Sequence, residues 1–359
     1  MPDRIDDGPT RMRALAAGLP DGLLDGFRHG REIAPPAAER GSSVFAVGMG
    51  GSGIAADLAK GIVESETELG LHIVRGPDLP RAADRRARVV LVSYSGNTWE
   101  TLRAYDAAAR AGATRLVLTS GGELAERAAH DGVPFVPIPP GMPPRSAVGH
   151  LLGGLLGLLD PSFPESNDER VRRTAERTGR LVRAYAAARG PAAAIARSIG
   201  DRLPFVYAEH SFVALARRWK TQIEENAKRL AVFDEVPELL HNALVGWDAT
   251  ERAEARQDAV VLLEWPGASM PVRDSFRYLD RLVARRGAAV ARVALPSEDR
   301  LESLVAGIAL GDHVSLFLAE RRRVDPYPVA AIVRLKATVR DAPAPVARPG
   351  GRGRRTTTK

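Results

Sequence analysis

Hydrophobic positions along this chain follow two periods. Short β-branched runs such as 44–47 and 89–92 are too brief for helices and read as buried strands. Longer stretches with apolar residues three and four apart read as helices. Residues 1–40 predict helix with breaks, at 12–19 and 23–27, closing at Pro35-Pro36. From Ser43 the predicted order is strand 43–47, helix 52–64, strands 71–75 and 89–93, helix 98–111, strand 115–119, short helix 123–130 and strand 134–138. A glycine- and leucine-rich helix, 146–159, leaves the loop PPGMPPR. The stretch from Asp160 to Asn167, rich in Pro, Ser and Asn, is the best domain boundary. Beyond it lie a charged helix 168–189, strand 204–208, helix 210–227, helix or loop 235–243 and strand 259–264. Helix 273–286, strand 289–294, helix 299–319 and a last helix 329–340 complete the pattern. Strands alternating with helices predict an α/β protein with parallel sheets wrapped by helices. The two halves, 1–160 and 168–340, are similar enough in size to suggest a duplicated fold.

Two strands end in loops of glycine and hydroxyl residues. After the first come Gly48, Gly50, Gly51, Ser52 and Gly53; after the strand at 89–93 come Ser93, Ser95, Gly96, Asn97 and Thr98. A strand that feeds a helix through such a loop leaves backbone N–H groups without partners, at the positive end of the helix dipole. That arrangement favours an anion, most economically a phosphate shared by the two loops. Hydroxyls at 52, 93, 95 and 98 add donors for the same oxygens. Gly48-x-Gly50-x-x-Gly53 also satisfies the dinucleotide fingerprint, which wants an acid at the end of the next strand. Here that strand ends in Arg75 and Gly76, so one compact phosphate fits better than a pyrophosphate.

Composition narrows the classes. At 359 residues the chain is long enough for about two domains. No apolar run approaches the ~20 residues a membrane helix needs, and the polar N-terminus does not resemble a signal peptide. Cysteine is absent, which removes disulfides, thiolate metal sites and cysteine nucleophiles. No convincing cluster of His and carboxylate ligands is apparent, so no metal is expected. Five units of the net charge of +7 sit in residues 342–359, so the charge does not argue for nucleic acid. The Pro/Gly/Arg tail, 341–359, is expected to be disordered. A cytoplasmic protein with neither membrane nor nucleic-acid partners is the expectation.

The run VSYSGNTWETL resembles the signature loop of sugar isomerase (SIS) domains, which bind phosphosugars. GMGGSG, PPRSAVGHLLG, RWKTQIEENAKRLAVFDEVPELLHNALVGW and DPYPVAAIVRLK narrow the resemblance to the bifunctional phosphoglucose/phosphomannose isomerases, which carry two SIS domains per chain. It runs from about Ser43 to Arg340. It implies two SIS-type doubly wound parallel-sheet domains and cofactor-free interconversion of glucose 6-phosphate, and mannose 6-phosphate, with fructose 6-phosphate. That chemistry passes through an enediolate and needs a base facing two adjacent carbons, a cation beside the oxyanion and a group to open the ring.

Residue by residue, the resemblance implies that Gly51, Ser52, Ser93, Ser95 and Thr98 bind the phosphate. Glu225 would be the base and Arg145 the cation at the enediolate. His241 would open the ring from the neighbouring subunit of a homodimer, and Lys336 would reach into the site. The chain departs from the family at Ala243, where an acid is usual after His-Asn, and at Tyr327, where a small hydroxyl residue is expected. A bulky ring at 327 would narrow the sugar pocket. The rival class is a non-catalytic phosphosugar-binding regulator of the SIS type, which would need only the phosphate loops.

Overall fold

The computed structural model describes residues 8–37 and 42–340, apart from the side chains of 336, 337, 339 and 340. The basic tail expected at 341–359 lies outside the described residues. The chain packs as two units, one through Tyr327 and one from Pro328 onward. In the first, helices α1 (Gly8–Ala17) and α2 (Leu19–Glu32) lead into β1 (Ser43–Gly48), α3 (Gly50–Glu66), β2 (Gly70–Val74), β3 (Arg88–Ser93) and α4 (Trp99–Ala111). β4 (Thr114–Thr119), α5 (Gly122–His130), β5 (Phe135–Pro137), α6 (Val148–Leu159), α7 (Asp168–Ala186) and α8 (Pro191–Ile199) follow. The later part holds β6 (Leu203–Glu209), α9 (Val213–Ala227), β7 (Val232–Val236), α10 (Ala243–Ala249), α11 (Arg252–Ala255), β8 (Asp258–Glu264), α12 (Met270–Arg286), β9 (Ala289–Ala294) and α13 (Arg300–Arg321). The second unit contributes one described helix, α14 (Ala330–Arg340).

Two sheets form, in the orders β2-β1-β3-β4-β5 and β7-β6-β8-β9, and every described pairing is parallel. Because a strand's side chains alternate between faces, each sheet is buried twice. Val44, Ala46, Val90 and Val92 join a cluster with α2, α3 and α6, whereas Phe45, Val47, Val89 and Leu91 pack on α4 and α5. The second sheet divides its residues likewise. Val206, Ala208, Val261 and Leu263 enter the same cluster as α3 and α6, while Tyr207, Val260 and Leu262 meet α12. One apolar layer therefore lies between the sheets. In the first sheet the order reverses between β1 and β3, and such a switch point opens a crevice at the strand ends.

The shared layer contains two helices buried nearly all round. Eighteen of the 22 residues of α13 are buried. By length and composition α13 could cross a membrane, which the sequence reading did not anticipate, but 94% of its apolar window is covered by the protein itself. Eleven of the twelve residues of α6 are buried. Gly149, Gly153 and Gly157 repeat every four residues along α6 and face Gly22, Gly26 and Gly30 of α2. A Cβ at Gly149 would lie 2.6 Å from the Leu19 carbonyl oxygen, and one at Gly153 would run into the Leu23 carbonyl. The two backbones meet where only hydrogen fits. Gly153→Ala is expected to cost about 1–3 kcal/mol, read as a lower denaturation midpoint at unchanged slope.

Several elements differ from the sequence expectation, among them α10 and α11, which it left out between 243 and 259. Residues 232–236 form β7, which overlaps the start of the helix or loop expected at 235–243; as an edge strand carrying Asp234 and Glu235 it lacks the continuous apolar pattern of a central one. α8 was also missed: it is a short, alanine-rich helix of nine residues opened by Pro191, which buries Ala192, Ala193, Ala196 and Ile199 on one face. Arg170 on α7 pairs with Glu66 at the end of α3 and with Asp299 at the start of α13, at 2.5 and 2.8 Å. One guanidinium thus ties the end of α3 to the start of the core helix α13.

Candidate active site

The crevice between β1 and β3 receives both hydroxyl loops. α3 begins at Gly50, whose φ of +51° lets the chain turn directly out of β1. Gly51 touches the segment that carries Arg145: a Cβ there would stand 2.9 Å from the Pro144 carbonyl. Ser52 is buried, and its Oγ accepts a hydrogen bond from the Tyr94 backbone N–H at 3.0 Å, joining the two loops. In the second loop Ser93 Oγ donates to Thr98 Oγ1 at 3.0 Å, and the Asn97 N–H reaches Ser95 Oγ at 3.4 Å. The Tyr94 hydroxyl donates to the Pro139 carbonyl at 3.1 Å and accepts from Met142 N–H at 2.8 Å. It thereby holds the proline loop that leads to Arg145 against the same crevice.

Arg145 is only 2% exposed. Its Nε donates to Asn226 Oδ1 at 2.9 Å, and its Nη2 donates to the Pro326 and Tyr327 carbonyls at 2.7 and 2.9 Å. Its Nη1 stands 3.4 Å from Glu225 Oε2. Burial pulls the guanidinium pKa down, and Glu225 opposes that shift. Beneath it lies Arg218, 1% exposed, which donates to the Arg145 carbonyl at 3.2 Å and to both Asp312 oxygens at 2.8 and 2.9 Å. Burial raises the Asp312 pKa despite this partner.

Glu225, with 28% of its side chain exposed, lines a cavity of about 160 Å³ together with Gly51, Arg145, Thr221, Gln222, Arg217, Arg75 and Asp57. Arg217, Thr221 and Glu225 lie four residues apart and so share a face of α9. Three arginines against two acids leave the wall positive, which suits a phosphorylated ligand. Burial raises the Asp57 pKa, although Arg75 pairs with it and Arg217 approaches at 3.5 Å. The cavity shares Asp57, Arg75 and Arg217 with a wider groove of about 700 Å³ beside β2. Glu224 meets Lys220 at 2.7 Å, and Lys228 turns left-handed at the end of α9 (φ 55°) and donates to the Glu225 and Pro326 carbonyls.

The structure therefore brings Glu225, Arg145 and Gly51 to one cavity and joins Ser52 to the loop of Ser93, Ser95 and Thr98. His241 does not line it; this exposed residue ends the turn Glu238–His241 ahead of α10. The Lys336 side chain lies outside the described residues. Tyr327 contributes its backbone carbonyl, while its ring sits under the Arg11 guanidinium at 4.8 Å and packs toward Met12 and Leu316, away from the cavity lining. Asn226, Arg218 and Asp312 were missed by sequence reasoning. Their only signal was a polar residue in each case on an otherwise core-facing helix position. Among the described residues, no group of three or more His, Asp or Glu is placed to hold a metal ion.

Parallel sheets sharing a helical layer, with hydroxyl loops at one switch point, define a protein of the SIS class. A tagatose-6-phosphate ketose/aldose isomerase from Escherichia coli superposes with a TM-score of 0.64 at 15% identity, covering 90% of this chain and 95% of its own. The family model described as the bacterial phospho-glucose isomerase C-terminal SIS domain matches residues 188–339. A bifunctional phosphoglucose/phosphomannose isomerase from Caldicellulosiruptor bescii is 31% identical over 89% of this chain and 96% of its own. The protein of the same name from Aquifex aeolicus is 32% identical over 80% of this chain and 88% of its own. The chain belongs to the bifunctional phosphoglucose/phosphomannose isomerase family.

Proposed function

We propose that this protein is a cytoplasmic aldose–ketose isomerase that interconverts glucose 6-phosphate and mannose 6-phosphate with fructose 6-phosphate. Residues 1–160 would form the phosphate-binding SIS domain, and residues 168–340 the SIS domain that carries the base. The observation that carries the reading is the Arg145 guanidinium 3.4 Å from the Glu225 carboxylate on one cavity wall, with Gly51 on another. Gly51, Ser52, Ser93, Ser95 and Thr98 hold the phosphate. Glu225 takes the proton from carbon 2 of the open-chain aldose and returns it to carbon 1. The electron pair left behind moves onto the carbonyl oxygen, and Arg145 Nη1 faces the resulting enediolate charge. The hydroxyl proton passes from the oxygen on carbon 2 to the oxygen on carbon 1, and return of the carbon-bound proton to carbon 1 then gives the ketose, so no redox partner is needed. Loose recognition at carbon 2 would admit both epimers.

His241 opens the ring from a second subunit, and Lys336 assists at the same site. The exposure of His241 in the single chain supports this sharing. Glu225→Gln and His241→Ala would then each be inactive alone, and mixing them under subunit exchange should restore up to about a quarter of wild-type activity. No restoration in heterodimers verified by mass would place ring opening within one subunit.

A coupled assay in EDTA, following fructose 6-phosphate to each aldose phosphate, tests the function. Turnover to both products is expected. Absent turnover, with fructose 6-phosphate still raising the melting temperature, would make the chain a phosphosugar-binding regulator.

A further inference from the structure

We infer that Asn226 is a positioning residue that aims the Arg145 guanidinium at the reacting carbons. The inference rests on the isomerase reading above. An arginine Nε can only donate, so the atom that Asn226 presents to it at 2.9 Å must be its oxygen. The other end of the amide is fixed as well. Asn226 Nδ2 donates to Ser315 Oγ at 2.9 Å and to Gln222 Oε1 at 3.2 Å. Ser315 has already given its own hydrogen to the Asp312 carbonyl at 2.6 Å, which leaves its oxygen to accept. The amide therefore has one satisfied orientation, in a site where Asn226 is 1% exposed.

With Nε held by Asn226 and Nη2 held by the Pro326 and Tyr327 carbonyls, Nη1 is the edge left facing Glu225 and the cavity. Asn226 adjoins Glu225 in sequence, so the base and the guide of the arginine sit on the same turn of α9. Removing the Asn226 oxygen leaves a buried N–H without a partner and frees the guanidinium to rotate.

A misplacement of about 1 Å can lower a rate by roughly 10²-fold. Asn226→Ala is therefore expected to lower kcat by about 10- to 100-fold while KM stays within about threefold. Asn226→Asp keeps an oxygen opposite Nε but loses the Nδ2 donor to Ser315 and Gln222, so it is expected to recover only part of the kcat lost in the alanine variant. A kcat within threefold of wild type in the alanine variant would overturn the inference. So would a change confined to KM. If the alanine variant does not fold, Ser315→Ala decides: a lowered kcat at constant KM supports the positioning role, and an unchanged kcat overturns it. The wild-type enzyme is assayed alongside, and its failure to turn over any of the three phosphosugars would overturn the isomerase reading and leave Asn226 no reaction to serve.

Discussion

Glu225→Gln should lower kcat by roughly 10²- to 10⁴-fold, the usual contribution of a general base, with KM little changed. The glutamine keeps the shape of the side chain and can still accept a hydrogen bond from Arg145, but it cannot hold the proton that must move between carbons 1 and 2. On the proposed reading, substrate affinity would depend mainly on the loops at Gly51–Ser52 and Ser93–Thr98, which the substitution does not touch. Folding should survive, because the carboxylate is 28% exposed and its contact with Arg145 is long, at 3.4 Å. Steady-state rates in both directions, together with a melting curve, check this. A variant with wild-type kcat would remove Glu225 from the chemistry.

Arg145→Lys should be nearly as damaging, for a different reason. A lysine retains the charge but presents its donors from a single nitrogen. It cannot reach Asn226, Pro326 and Tyr327 while also facing Glu225, as the guanidinium fork does. The loss of an oriented donor at a developing oxyanion typically costs about 10²- to 10³-fold in kcat, and that range is expected here. Carbonyls left unpaired in the interior should also lower stability by about 1–3 kcal/mol. If the lysine variant matched wild type in kcat, a point charge would suffice and the anchoring of the fork would have no catalytic role.

How much of this was legible beforehand differs by element. The loops around Gly51 and Ser95 announce themselves, because a buried strand ending in small residues and hydroxyls has few structural purposes other than an anion site. Arg145 and Glu225 were visible through their similarity to the arginine and the base of the family. What could not be read was tertiary. The carbonyls of Pro326 and Tyr327 reach Arg145 across some 180 residues of sequence, and no local pattern marks a backbone oxygen as a ligand. Tyr327 looked like an obstruction because its ring was placed in the pocket, whereas the ring stacks on Arg11 outside it. β7 hid behind two acids, and α13 escaped notice as an apolar span because Glu302, Asp312 and His313 interrupt it. Once folded, Asp312 is matched by Arg218, and the interruption becomes the support beneath Arg145. The paired glycines of α2 and α6 were present in the sequence at a spacing of four, but only the contact shows that each row is the partner of the other.

The central claim is that Glu225 carries a proton between two carbons of a phosphosugar. It is tested most directly by incubating the enzyme with fructose 6-phosphate in D₂O and following deuterium at carbons 1 and 2 by NMR. The wild type should place solvent deuterium at both positions as the aldose and ketose phosphates interconvert, and Glu225→Gln should place almost none in the same time. Deuterium entering the Glu225→Gln variant at the wild-type rate would contradict the account.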